Sequence, residues 1–596
     1  MKDLRVMMGT SRIRLAILVS MAIGFGLPAS QAASNAWKTY GDVGVVTNDW
    51  NNPNNWTNSA SFPNAVDDVA VISGNIWTHG CFIALNQQIT VGSLATGDTA
   101  GGEKFSFTPG TSGSLVFQAA NGNAALTHIA GGTGQDTFTC PLILSNTLQV
   151  SVLSSAPGDY AFNASVSGNG GIIKNGPGVL WLGVANSFAG DLVVSNGMVV
   201  LQNGASMPSG AGKGNVFVGA GAILSPNAVV TINGLSGAGT ITIAQSWVTG
   251  SQMVNIGAND QTSVFSGVIS NGYGTVGITK TGAGSLTLTG TNSYTGTTTI
   301  NQGTLQFAKE LSLYNNTSAN WTKANISVLS GATLALNVGG TGEFTAGDLD
   351  TLQTNLKTSI NNNGLRAGSA LGLDTSNAGG SFTYNTAITN STGTGGGAVG
   401  LTKLGTGTLI LGGDNTYSGP TTVSNGTLNV SGDYKGSGAV MINAGGALIN
   451  GAKSGTGVLT VSSGYLGGTG TVAGVVTNYA TVTAGDTNTV GTLTVSNLVM
   501  AANSTSLVNF DSTSCDRIAV TGTLTLPSLP NVATVNVSRV AGTWAPNPAV
   551  LFSAPTINGS VDSLVITGNL RPNSRLRLLN NQVELVSPTG MMLILD

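Results

Sequence analysis

Three segments of the chain repeat one another without a gap, and this repetition constrains the fold more than any other feature. They cover Lys174–Leu201, Lys280–Phe307 and Lys403–Val430. Each begins with a lysine, followed by two glycines separated by one residue and two leucines separated by one residue. An asparagine, an aromatic residue two positions later and two further glycines complete the unit. Biased composition does not produce such agreement, so the segments are copies of one structural unit.

The middle copy shows how the unit is expected to fold. Leu286 and Leu288 alternate with short polar residues, which is the period of a strand with one buried face. Thr297–Ile300 and Thr304–Phe307 are two more short segments rich in threonine and apolar residues. Glycines separate the three segments, because tight corners need positive φ values that glycine adopts readily. Each copy is therefore predicted to form three strands, or one rung of a β-solenoid.

The shared pattern resembles the autotransporter-associated β-strand repeat of bacterial surface and secreted passenger proteins. The match is close in the second and third copies and looser in the first, where Val184, Leu192 and Val199 replace a glycine, a threonine and a leucine. The resemblance implies a β-helical passenger, without implying an activity. We therefore expect an all-β chain folded as an elongated right-handed parallel β-helix with one short helical insertion.

Residues 1–32 have the order of a secretory signal peptide. Four basic residues precede an apolar run over Leu15–Leu27, and small residues follow it up to Ala32, where cleavage is expected. The apolar run is short for a bilayer, and no later stretch competes with it. The mature chain is therefore expected to have no membrane span and to be secreted or held at the cell surface.

Composition supports an all-β chain. Charged residues make up 8% of the sequence, against roughly 25% in ordinary globular domains. The chain also contains 87 glycines, and threonine, serine and asparagine supply its polar surface. The formal net charge of -3 leaves no basic stripe for nucleic acid. No cofactor is expected.

Differences in how repetitive the sequence is divide the mature chain into four regions. Residues 33–91 are the least repetitive and are expected to cap the first rung, whose open edge would otherwise pair with other chains. Residues 92–307 form a solenoid that contains the copies at 174–201 and 280–307. Residues 308–383 form an insertion, and residues 384–590 form a second stretch of solenoid with the copy at 403–430 and a closing region.

The insertion is predicted to contain a short amphipathic helix. Leu349, Leu352, Leu356 and Ile360 fall at helical spacing. Either Thr345 or Asp348 is suited to cap its first turn. We expect this helix to pack against the side of the solenoid.

Four tryptophans mark the cap region, and two interpretations apply to them. Trp37, Trp50, Trp56 and Trp77 could stack on sugar rings, or they could plug the end of the solenoid. The second interpretation is favoured, because buried aromatic side chains contribute most to small cores.

Ionisable residues that could build a catalytic site are few and scattered. A glycan-cleaving site needs two or three carboxylates, or carboxylates with arginine or lysine, on one face. Adjacent Asp67 and Asp68 would point to opposite faces of a strand. The other candidates are the helical pair Asp348 and Asp350, the polar group Asp511, Asp516 and Arg517, and the isolated His79 and His128. Helix capping and salt-bridged turns explain these residues equally well, so we expect no catalytic site.

Metal and disulfide chemistry have weak signals. Gly131–Thr139 matches one calcium-binding nonapeptide, but neither flanking nonapeptide conforms, so no metal site is predicted. Cys81 and Cys140 could form a disulfide after export or remain two solitary buried thiols, and Cys515 has no evident partner.

The repeated Asn186, Asn292 and Asn415 lie several rungs apart, so they are expected to close corners by bonding to their own backbone rather than to stack.

These observations favour a structural or adhesive protein outside the cell that is not an enzyme. Its expected partners are extracellular glycans or other cell-surface components, and the chain is expected to be a monomer. The alternative is a carbohydrate-active β-helix, either a polysaccharide lyase or a hydrolase, or a glycan-binding protein. The sequence after Val430 has no barrel-like strand pattern, so the chain is expected to remain periplasmic, to use a separate secretion machine, or to be released from a cell whose envelope differs.

Overall fold

A computed structural model describes residues 34–38, 47–73, 81–97, 104–129, 134–153, 159–361, 363–511, 513–542 and 545–588. Within these residues the chain is a parallel β-solenoid, as predicted, except that Gln582–Val586 pairs antiparallel with both of its neighbouring strands. Successive rungs pair strand on strand, and the hydrophobic core runs continuously along the interior. Among the same residues, no helix is long and apolar enough to cross a membrane.

Two long sheets form walls of the solenoid, one along most of the described chain and one along its amino-terminal half. The larger has 27 strands within the described ranges: Ser34–Ala36, Val69–Ser73, Ser93–Gly97, Ala124–His128, Leu148–Val152, Ile172–Asn175, Leu192–Val194, Val216–Val218, Leu235–Gly237, Ser263–Phe265, Ser285–Leu288, Gly303–Phe307, Ala332–Asn337, Ala370–Asp374, Gly400–Leu404, Thr421–Val423, Val440–Ile442, Ala452–Lys453, Leu459–Val461, Thr471–Asn478, Thr492–Met500, Arg517–Val520, Thr523–Thr525, Ala549–Ser553, Thr556–Asn558, Arg575–Leu579 and Gln582–Val586. The other, called here the amino-terminal sheet, comprises Thr47–Asp49, Cys81–Ala84, Phe105–Thr108, Gln135–Phe138, Asp159–Phe162, Val179–Leu182, Met198–Leu201, Ile223–Pro226, Thr240–Ile241 and Val268–Ile269.

Shorter sheets complete the walls. One comprises Ser381–Tyr384, Thr408–Leu411, Thr427–Val430, Gly446–Ile449, Tyr465–Gly467, Thr481–Val482, Thr505–Phe510, Ala533–Arg539 and Leu564–Gly568. The others comprise Gln88–Val91, Ser114–Phe117, Leu142–Leu144 and Val166–Gly168; Val230–Ile232, Ser251–Ile256, Thr275–Lys280, Thr298–Ile300, Ile326–Val328 and Gly364–Leu365; and the pair Thr358–Ser359 and Thr392–Gly393. Single 3-10 turns lie at Pro53–Asn55, Glu310–Ser312, Tyr314–Asn316, Ser318–Asn320 and Val561–Ser563.

Each repeat copy folds as parts of two successive rungs, so the prediction of one rung per copy was wrong. In the first copy, Ile172–Asn175 pairs in parallel with Leu192–Val194, and Val179–Leu182 pairs with Met198–Leu201. The other two copies pair their four strands in the same way. The segment between the strand pairs, which carries the asparagine and the aromatic residue, is a corner rather than a strand.

The repeated asparagines connect rungs, which corrects the expectation that they bond only to their own backbone. Asn292 Oδ1 accepts from the backbone N–H of Ile269 at 2.9 Å, and its Nδ2 donates to the carbonyl of Ser312 at 2.8 Å. Asn186 and Asn415 also accept from the preceding rung, and each additionally donates to a carbonyl two residues before itself. The asparagine side chain thus provides hydrogen-bond partners for backbone groups at the corner, where no regular strand pairing supplies them.

The repeated lysine is buried and joins the same two rungs. Lys174 Nζ donates to the carbonyls of Asn175 and Gly176, both at 2.8 Å, and to that of Asn196 in the next rung at 3.3 Å. Lys280 and Lys403 repeat this pattern with their equivalent carbonyls. Burial lowers the pKa of each of the three ammonium groups to about 8. We call this arrangement the lysine clamp.

The region predicted as an insertion is only partly one. Ala332–Asn337 and Ala370–Asp374 lie within 308–383, yet they pair with each other and with solenoid strands on either side. The predicted helix is present at Ala346–Leu356. Thr345 is the N-cap residue of this helix. Its side chain accepts from the N–H of Asp348, and the Asp348 side chain accepts from the N–H of Thr345, which completes a capping box.

The helix packs as its spacing indicates. Leu349, Leu352 and Leu356 are buried, and they enclose a small apolar space together with Leu334 and Leu371 of the solenoid. Ile360 does not continue this face, because it lies beyond the helix and is 48% exposed.

Candidate functional site

Three of the four tryptophans of the cap region are not available to a sugar. Trp50 and Trp56 are fully buried and Trp37 is 5% exposed, and Trp56 contacts both of the others edge to face. The indole N–H groups of Trp50 and Trp56 donate to the carbonyls of Pro63 and Trp50. The three therefore plug the first rungs, as the favoured interpretation held. Trp77 lies outside the described residues.

The four candidate carboxylates before the strand at Val69 and in the helix accept hydrogen bonds from other protein groups. Asp67 Oδ1 accepts from the N–H of Ala120, and Asp68 Oδ2 accepts from that of Asn64, both at 2.9 Å. Both lie in the turn before Val69, not in a strand. Asp348 caps the helix, whereas Asp350 accepts from the hydroxyl of Tyr384 at 2.7 Å.

The polar group near residue 515 does not converge. Asp511 accepts from the N–H groups of Thr513 and Ser514, which lower its pKa to about 2. Asp516 is 1% exposed, and its carboxylate accepts from Thr483 and from the N–H groups of Gly491 and Asn509. The guanidinium of Arg517 instead donates to Ser553 at 2.9 Å. The described residues form no ion pair here, so the predicted salt-bridged turn is a turn alone.

His128 and Asp136 belong to a buried polar cluster that spans several rungs. His128 Nε2 lies 3.7 Å from Asp136 Oδ2, and that carboxylate also accepts from the hydroxyl of Thr96 and the N–H of Phe105. The hydroxyl of Tyr160 bonds to Thr96 at 2.7 Å. All four side chains of this cluster are at most 1% exposed, so a polymeric substrate has no access to it.

The cluster also bears on the calcium motif. Asp136 is the acidic residue of the nonapeptide, and its carboxylate points into the core with protein donors. Burial raises its pKa to about 7. Residues 131–133 of the motif and His79 lie outside the described residues. No group of three metal-ligating side chains occurs in the part of the chain that the structure describes.

Cysteines 81 and 140 are free thiols rather than a disulfide. Both are buried, and burial raises the pKa of Cys81 to about 11 and that of Cys140 to about 12. Cys515 is also free and partly buried. None of these thiols has the lowered pKa that a nucleophile needs.

An exposed aromatic surface occurs elsewhere, on the outer face of the amino-terminal sheet. Trp181 lies between the buried Leu180 and Leu182, so its side chain points outward. Trp247 stacks on it with ring centroids 5.8 Å apart and planes inclined by 15°. Trp247 remains 64% exposed, whereas Trp181 is 8% exposed.

The loop that carries Trp247 folds back over the sheet. The N–H of Ala244 donates to the hydroxyl of Ser225, and Gln245 Nε2 approaches the sulfur of Met198 at 3.6 Å. The backbone N–H of Val248 donates to the carbonyl of Gln245, and the Val248 side chain packs against the core. Trp181 is held from the other side, because its indole N–H donates to Asp159 at 3.0 Å.

A cleft of about 270 Å³ opens beside the two indoles. Three carboxamides line it, from Gln135, Asn163 and Gln202. Gly183 lies between two of them, since a Cβ built there would lie 2.4 Å from Asn163 Oδ1 and 3.4 Å from Gln202 Oε1. We call this site the tryptophan cleft.

Sequence reasoning missed the tryptophan cleft. The alternation of Leu180, Trp181 and Leu182 was a usable signal, because it places the indole on the face opposite the buried leucines. Trp247 gave no comparable signal, since its contact with Trp181 depends on the path of a loop.

Comparison with known proteins bears on the repeat. Residues 172–201, 278–307 and 401–430 each match the passenger-associated-transport-repeat family. These ranges contain the three copies recognised in the sequence.

The chain carries passenger-associated transport repeats. Beyond them, the chain is 31% identical over 347 residues to the adhesin BmaC autotransporter of Brucella suis biovar 1. That similarity covers 55% of this chain and 9% of the relative. The similarity to an adhesin therefore extends over more of the chain than the three repeats cover.

Each passenger-associated transport repeat contains one lysine clamp and one asparagine corner, so its shared residues have internal structural roles. Among the described residues, the ion pairs of the repeats are limited to the exposed one between Asp414 of the third repeat and Lys435. The tryptophan cleft lies partly on the first repeat, which supplies Trp181 and Gly183, and partly on rungs outside it.

Proposed function

We propose that this protein is a secreted or cell-surface β-solenoid with a structural and adhesive role and without a catalytic site. The similarity over 347 residues to a protein described as an adhesin carries the proposal. The rigid stack of rungs supports it, because a solenoid presents a long surface whose exposed residues can vary without disturbing the core.

The chemistry of the described residues favours binding over cleavage. The carboxylates that the sequence offered for a glycan-cleaving site cap turns and helices or lie in the core. A polysaccharide lyase or hydrolase needs such groups gathered beside an accessible scissile bond. In the described part of the chain, the candidate carboxylates form no accessible group that would favour that alternative.

Adhesion of protein-coated particles tests the proposal. Latex beads coated with the purified mature chain are expected to remain on epithelial cell layers and on extracellular matrix under flow, whereas albumin-coated beads wash off. The same protein is incubated with plant and algal polysaccharides, and no reducing ends or unsaturated products are expected. Equal wash-off of both bead types would contradict adhesion, and product release abolished by Asp516→Ala would establish the enzymatic alternative.

A further inference from the structure

We propose that the tryptophan cleft binds a neutral sugar at the end of a short glycan, an inference that rests on the proposed adhesive function and names its ligand. The cleft combines an exposed aromatic face with three carboxamides that have no hydrogen-bond partner among the described residues.

Stacked indoles form the apolar wall of the cleft. One face of Trp247 lies against Trp181, and the indole as a whole is 64% exposed. An exposed tryptophan fixed over a second ring is an apolar surface that water covers poorly. The C–H face of a pyranose is flat and weakly polar, so it matches this surface in shape and polarity.

Three carboxamides supply the polar groups of the cleft. No hydrogen bond within the described residues engages the side-chain amides of Gln135, Asn163 and Gln202. Each amide offers an acceptor oxygen and two N–H donors, which suits hydroxyl groups that both donate and accept. A few polar groups beside a mostly apolar wall are typical of small-molecule sites.

Charge selects among sugars. The described residues that line the cleft include neither lysine nor arginine. A negative charge adjoins the cleft, because the carboxylate of Asp159 accepts from the indole N–H of Trp181, which lines it. Uronic acid or sulfated glycans would meet a negative charge without a cation, so neutral sugars are favoured.

Size limits the ligand. The cleft volume of about 270 Å³ lies just below the range of about 300 to 1,000 Å³ that is usual for small-molecule sites. It therefore suits the end of a glycan rather than the middle of a long chain, and affinity for one site is expected to be weak.

Calorimetry with defined oligosaccharides tests the inference. The mature chain is titrated with cellohexaose, chitohexaose, maltohexaose and mannohexaose at millimolar concentration, and with polygalacturonate as the acidic comparison. At least one neutral oligosaccharide is expected to bind, and polygalacturonate is not. Trp247→Ala is expected to weaken that binding about tenfold or more, as loss of a central tryptophan anchor does.

Two variants sharpen the test. Gly183→Ala adds a methyl group between two carboxamides and is expected to weaken binding while both indoles remain. Tyr479→Ala removes another exposed aromatic ring, which is 57% exposed and far along the chain, and should leave binding unchanged. Equal thermal midpoints for all variants confirm that they fold.

The outcomes separate this inference from the adhesive function. Absence of binding by every neutral oligosaccharide, or binding that survives Trp247→Ala, overturns the sugar site. If beads coated with Trp247→Ala then adhere as well as wild type, adhesion stands without the cleft. If wild-type beads do not adhere, the adhesive function fails whatever the calorimetry shows.

Discussion

At the scale of single residues, the repeated lysine is the most informative side chain. An ammonium group in the core loses its hydration, and it is tolerated here because three carbonyl oxygens surround it. These carbonyls lie at corners, where no strand partner satisfies them. The lysine is therefore a structural cation. This internal role explains why it recurs in a chain that has few charged residues.

Replacing the lysine is expected to loosen its two rungs. Lys280→Met keeps the apolar stem but leaves the carbonyls of Thr281, Gly282 and Gln302 without their donor. We expect the free energy of local opening to fall by about 3 kcal/mol, the order of magnitude for unpaired buried acceptors. Amide hydrogen exchange of residues 275–307 measures it.

The matched control is Lys435→Met. Lys435 forms a surface ion pair with Asp414 at 2.7 Å, and both side chains are largely exposed. Exposed ion pairs contribute little to stability, so exchange should hardly change. Equal effects of the two substitutions would mean that the lysine clamp has no special structural role.

Asp516 is expected to make stability depend on pH. Burial raises the pKa of its carboxyl to about 6, above the value of about 3.9 in an unfolded chain. The folded state therefore takes up the proton first, and the resulting stabilisation is fully present below about pH 4 and is lost as pH rises through about 6.

The test compares wild type with Asp516→Asn, which cannot titrate. Thermal midpoints between about pH 7 and pH 4 should rise more in wild type than in the variant as pH falls, because the other titrating groups are common to both. Parallel curves would show that Asp516 does not take up its proton in this range.

At the scale of the structural element, the corner glycines decide how closely successive rungs approach. Gly197 has a φ of 71° and lies directly against the preceding rung. A Cβ at this position would lie 2.4 Å from the carbonyl oxygen of Gly176 and 2.9 Å from Lys174 Nζ. The glycine thus leaves the space that the lysine clamp occupies.

A pair of glycine substitutions separates backbone strain from this close approach. Gly221 has a similar φ of 78°, but nothing lies within 4 Å of its added Cβ. Gly221→Ala should therefore cost about 1 kcal/mol of backbone strain, and Gly197→Ala should cost about 2 kcal/mol more through the clash. Denaturant unfolding measures both, and equal losses would contradict the role given to Gly197.

Predictability from sequence differs between strands and corners. The leucine alternation located the strands and their buried face, because its period of two reports directly on side-chain direction. The corner that contains Asn292 and Tyr294 was harder, because its order comes from bonds to residues about 20 positions away in neighbouring rungs. That is why the sequence suggested one rung where each copy contributes to two.

The tryptophan cleft could not be predicted from the sequence for the same reason. Trp181 could be placed on an outer face, but the stacking of Trp247 depends on contacts of its loop with Ser225 and Met198. The buried cap tryptophans were easier, since a solenoid must close its first rung with large apolar side chains.

At the scale of the whole molecule, the stack of rungs predicts an elongated particle. Strand spacing of about 4.8 Å along the 27-stranded sheet gives a length on the order of 100 Å. Small-angle scattering of the mature chain should therefore report a rod. A radius of gyration near 25 Å, as expected of a compact chain of this size, would contradict the extended stack.

The lysine clamp has a further consequence for how such a chain can change in length. All three carbonyls that receive each lysine lie inside the same copy, as Asn175, Gly176 and Asn196 do for Lys174. A copy therefore carries every partner of its own buried charge. Duplication or deletion of a whole copy leaves no ammonium group stranded in the core, so gene segments encoding copies can be gained or lost singly, and neighbouring copies keep their clamps intact.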